Sequence, residues 1–80
     1  MKLHYQFLIF CKNVKYLREK NGLSLTAMAK IMHVTVPILR KIEAGNMPGN
    51  TQITVIFHVA RHFSYHPARL FQPLYDVDPE

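Results

Sequence analysis

Leu23 to Gly45 reads LSLTAMAKIMHVTVPILRKIEAG, and its spacing describes two short helices joined by a tight turn. Ser24 can cap the first, with Met28, Ala29 and Met32 turned inward. His33-Val34-Thr35 interrupts the periodicity. Thr35 can then cap a second helix that carries Leu39 and Ile42 inside and stops at Gly45. Pro37 falls in the first turn of that helix, where its missing N–H costs nothing. Ala29 has to be small, because a larger side chain there would push the two helices apart. Contacts at Ala29, Val34 and Leu39 fix their crossing.

Upstream, Val14 and Leu17 share a stripe with Phe7 and Phe10, which predicts a first helix ending near Lys20. Asn21-Gly22 closes it, since glycine accepts the left-handed conformation of a helix end. Downstream, Met47-Pro48-Gly49-Asn50 reads as a loop, and Asn50 or Thr51 opens a fourth helix. Ile53, Thr54, Val55, Ile56 and Val59 are β-branched and would also suit a strand. The spacing of Phe57, Ala60 and Phe63, with Ile53 and Ile56, favours a helix. Pro67 starts a short fifth helix through Leu70 and Phe71. The predicted fold class is all-α, a compact five-helix domain, with neither a βαβ alternation nor a Gly-rich phosphate loop.

Eighty residues suit one domain, and 49% apolar content can fill one core. We divide the chain into residues 1–12, an apolar N-terminal extension joining helix 1, residues 13–71, the helix-turn-helix domain, and residues 72–80, an acidic C-terminal tail. Asp76, Asp78 and Glu80 lie in that tail, so residues 1–75 hold ten bases against two acids, a net charge of +8. Such a body suits a polyanion, most often nucleic acid. The lone Cys11 fits a reducing, cytoplasmic setting better than secretion. The apolar run Tyr5 to Cys11 is far shorter than the roughly 20 residues that span a bilayer, so no membrane association is expected.

The quoted run resembles the helix-turn-helix of the phage repressor and Cro family, also called the XRE family. Members typically read L-S-Q-x-x-L-A-x-x-L-G-V-S-x-x-x-I-x-x-I-E-x-G. Leu23, Ser24, Ala29, Val34, Ile42, Glu43 and Gly45 match directly, and Met28, Met32, Thr35 and Leu39 match in type. NVKYLREKNG before the motif and VIFHVARHFSYHPARLF after it extend the likeness over roughly residues 13–71. The resemblance implies a repressor-like fold and sequence-specific binding of double-stranded DNA by a transcriptional regulator, with the third helix in the major groove and a homodimer as the common assembly. It also implies a structural ion pair between Arg18 and Glu43.

Departures from the pattern narrow the expected contacts. The family glutamine at the start of the second helix is Leu25 here, and the turn glycine is His33. The outward tip of the third helix reads Val36, Pro37, Ile38; these can meet thymine methyls but cannot hydrogen-bond base edges. The competing reading packs them against protein. Arg40 and Lys41 are the charged candidates for the groove, and Thr26, Lys30, Thr35 and Asn46 are candidate phosphate partners. An alternative function keeps the fold as a protein-interaction or antitoxin-type module with weak or lost DNA binding.

Other chemistry finds little support. His58, His62 and His66 lie four apart, a spacing that a helix could turn into a metal face, but Pro67 ends the run and structural roles are expected instead. No cofactor is expected. Outside the tail, Glu19 and Glu43 are the carboxylates present, too few for an obvious catalytic constellation, so no enzymatic activity is expected. The apolar surplus at Leu3, Tyr5, Phe7, Leu8 and Ile9, with Leu74-Tyr75, either forms a dimer interface or caps the core.

Overall fold

The computed structural model describes residues 3–48 and 53–77. It is helical throughout: α1 (Leu3–Lys20), α2 (Leu25–Met32), α3 (Val36–Glu43), α4 (Thr54–Phe63), a 3-10 helix (Pro67–Phe71) and the one-turn α5 (Leu74–Val77). Among the described residues there is no strand, as expected. Asn50 and Thr51, the expected openers of the fourth helix, lie outside the described residues, as do Asp78 and Glu80.

Helices α1 to α4 all end in the same way. In each, one residue takes a left-handed conformation, and two backbone N–H groups donate back to carbonyls of the last turn. After α1, Leu23 N–H donates to Arg18 and Gly22 N–H to Glu19. After α2 the pairs are Val34 to Ala29 and His33 to Lys30, after α3 Asn46 to Lys41 and Gly45 to Ile42, and after α4 Tyr65 to Ala60 and Ser64 to Arg61. Gly22 and Gly45 take this conformation freely, at φ of 65° and 89°. His33 and Ser64 take it at 61° despite their Cβ atoms, at a cost on the order of 1 kcal/mol each.

The core is built from the inward faces of every element: Phe10, Val14 and Leu17 of α1, Met28, Ala29 and Met32 of α2, Leu39 and Ile42 of α3, Val59 and Ala60 of α4, then Leu70 and Leu74. Helix α1 runs unbroken through the apolar N-terminal residues, because Ile9, Phe10 and Cys11 are buried on the same rod as Val14 and Leu17. Phe71 stacks on Phe10 at 5.8 Å and meets Phe7 edge-on at 6.0 Å.

The structure refines three expectations. The fourth helix buries Val55, Ile56, Val59 and Ala60, whereas Phe57 is 55% and Ile53 64% exposed. Val55, Val59, Phe63, Ile56 and Ala60 share an inward arc of about 140°, and Phe57 falls about 60° beyond its edge. The fifth helix is a 3-10 helix, with Arg69 N–H donating to His66 and Gln72 N–H to Arg69. Leu74, weighed as a partner contact, is buried in its own chain. The cause is Asn13, a fully buried amide whose Oδ1 accepts from Leu74 N–H at 2.9 Å. Its Nδ2 donates to the carbonyls of Leu70 at 2.7 Å and Gln72 at 2.9 Å. One side chain thus pins the C-terminal segment onto α1.

Candidate nucleic-acid interface

The pair α2–α3 is fixed by its caps. Ser24 Oγ accepts from Ala27 N–H at 3.0 Å, and Thr35 Oγ1 accepts from Ile38 N–H at 3.4 Å. Pro37 lies in the first turn of α3, as its ring requires. Between the helices stands His33, whose ring stacks on that of His58 from α4, with centroids 4.0 Å apart and planes inclined by 14°. The turn is thereby braced from outside the pair.

Successive residues of a helix are set about 100° apart, so Pro37, Arg40, Lys41 and Ala44 fall within one arc of roughly 100°. All four are exposed. Leu39 and Ile42 lie opposite, fully buried. Val36 and Ile38 occupy the rims of the arc, half-buried and packed against the core. Of the apolar tip read from the sequence, Pro37 alone stands clear. Thr26 and Lys30 on α2, Thr35 at the head of α3 and Asn46 just past its end are all exposed. Ala44 completes the outward arc, although the sequence reading passed over it; its place seven residues after Pro37 was the available signal.

Charge on this surface has one sign. Neither α2 nor α3 has an acid in its first turn, so the positive ends of both helix dipoles stand uncompensated. Among the described residues no ion pair involves Lys30, Arg40 or Lys41. The single acid of α3, Glu43, is turned away into a two-point pair with Arg18: Nε donates to Oε2 at 2.7 Å and a terminal guanidinium nitrogen donates to Oε1 at 3.0 Å. That hydrogen bonding raises the Arg18 guanidinium above its ordinary pKa. Arg18 also donates to the Leu23 carbonyl at 3.1 Å, tying the start of α2 to α1 and α3 together.

The remaining histidines are used locally. His62 meets Phe63 edge-on at 4.8 Å, and His66 caps the 3-10 helix by accepting from Ala68 N–H at 3.3 Å. Among the described residues, no three His, Cys, Asp or Glu side chains are grouped to hold a metal ion. No helix there is long and apolar enough to cross a membrane.

A family model described as a helix-turn-helix matches residues 14–70, from the middle of α1 through the 3-10 helix. No curated protein and no solved structure matches the chain. The matched span contains every element that positions the acid-free face of α3, from the guanidinium of Arg18 to the braced turn at His33. The chain belongs to the XRE-type helix-turn-helix family of DNA-binding domains.

Proposed function

We propose that this chain is a small cytoplasmic transcriptional regulator that binds specific double-stranded DNA, with α3 in the major groove and no catalytic role. The supporting observation is the exposed arc Pro37, Arg40, Lys41 and Ala44, cationic, free of acids and uncovered by the described residues. Arg40 and Lys41 approach base edges, while Thr26, Lys30, Thr35 and Asn46 hold the flanking phosphates. Pro37, flanked by Val36 and Ile38, forms the apolar tip. Two copies would read half-sites about 34–36 Å apart, as a homodimer. The alternative, a protein-docking module centred on Val36, Pro37 and Ile38, loses support because two of these three residues are half-buried.

Fluorescence anisotropy with labelled duplex DNA between 50 and 200 mM salt tests the proposal. Affinity should fall steeply, and Lys30→Ala should reduce the slope of log affinity against log salt by about one. Salt-independent retention, or none even in dilute buffer, would contradict it.

A further inference from the structure

The arc on α3 also limits which bases it can read. We infer that the DNA half-site is built on a guanine read by Arg40, with a thymine one or two base pairs away read through its methyl group by Pro37. This rests on the DNA-binding reading proposed above.

The inference follows from what the arc carries and what it lacks. In the major groove, guanine presents two acceptors, adenine an acceptor beside a donor, cytosine a donor and thymine an acceptor with a methyl group. Bidentate recognition of adenine takes a side-chain amide, and α3 has neither Asn nor Gln among its residues VPILRKIE. Cytosine takes a carboxylate, and Glu43 is held by Arg18 on the inward side. The Thr35 hydroxyl already accepts from the helix it caps, and Asn46 lies beyond the helix end, off the arc. What remains on the arc is two cations and two apolar groups. Arg40 carries the planar donor fork that fits guanine O6 and N7.

Spacing then links the two contacts. Pro37 and Arg40 lie three residues apart on one face, about 4.5 Å along the helix axis. Base pairs are stacked about 3.4 Å apart, so the two side chains reach positions separated by one or two steps. Thymine and guanine are therefore close neighbours in the half-site, each specifying its base pair from one strand.

Selection from a pool of randomised duplexes, run in parallel with the natural chain and Arg40→Gln, tests this. Arg40 is exposed, so the variant should fold, and its thermal unfolding is checked against the natural chain. The natural chain should enrich a guanine with a nearby thymine, and Arg40→Gln should change that guanine to adenine. On the selected duplex, 7-deazaguanine, which lacks N7, should weaken the natural chain roughly five-fold or more. It should leave Arg40→Gln unaffected. Uracil in place of the thymine should weaken binding roughly four-fold, the effect of one methyl group. Duplex binding with no enriched guanine, or with the same base chosen by both proteins, overturns the inference and leaves the DNA-binding reading standing. Retention of no duplex at all overturns both.

Discussion

Arg18 of α1 and Glu43 of α3, 25 residues apart in sequence, meet through two hydrogen bonds of 2.7 and 3.0 Å. The pair turns the one carboxylate of α3 inward, away from the outward arc of Pro37, Arg40, Lys41 and Ala44. Both partners are largely out of water, with side chains 18% and 8% exposed. Removing one leaves the other uncompensated. Either Arg18→Ala or Glu43→Ala should lower stability by about 3 kcal/mol in urea unfolding, and the double variant should cost clearly less than the two single losses combined.

Asn13 should be as sensitive. Its amide satisfies the Leu74 N–H, the Leu70 carbonyl within the 3-10 helix and the Gln72 carbonyl just past it. Asn13→Leu would leave the buried Leu74 N–H without an acceptor, at a cost of about 2–3 kcal/mol. Hydrogen exchange should show the Leu74 amide losing protection before the amides of α2 and α3 do.

The two left-handed non-glycine residues, Ser64 and His33, differ in what holds them. Ser64 is exposed, and no ring contact is formed there, so Ser64→Gly should raise stability by about 0.5–1 kcal/mol in thermal unfolding. His33→Gly relieves the same backbone strain but removes the stack on His58. Its gain should therefore be smaller than that of Ser64→Gly, and should become equal to it in a His58→Ala background.

Burial pushes the Cys11 thiol from 9.0 up to about 11. Folding thus disfavours the thiolate. The contribution of the neutral thiol is fully present below pH 9 and is lost as pH rises through 11. The stability advantage of the natural chain over Cys11→Ala should shrink by roughly 2–3 kcal/mol across that window, measured by urea unfolding at each pH. The thiol should also resist alkylation at neutral pH until the domain unfolds.

Most of the architecture was legible in the sequence because the signals are local. Ser24, Thr35 and Pro37 announce helix starts, Gly22 and Gly45 announce ends, and the pattern from Leu23 to Gly45 carries the motif. The exposed cations of α2 and α3 followed from the same periodicity. What escaped depends on distant partners. Asn13 reads as an ordinary polar residue until Leu70 to Leu74 folds across it, 57 to 61 residues away. The stack of His33 on His58 joins two elements with no shared local signal. Phe57 shares helical spacing with Ala60 and Phe63, but spacing alone does not show which side of α4 faces inward, and Val55, Ile56, Val59 and Ala60 fill that side. The apolar tip of α3 was read as one outward cluster, and the helix instead tucks Val36 and Ile38 against the core on either side of Pro37.

Backbone amide chemical-shift mapping during titration with the selected duplex tests the central claim most directly, and an 80-residue chain is well suited to it. The account predicts perturbations concentrated at Thr26, Lys30, Thr35, Arg40, Lys41, Ala44 and Asn46. Saturable perturbations centred on Ile53, just before α4, and on Phe57 within it, with α3 unmoved, would contradict it.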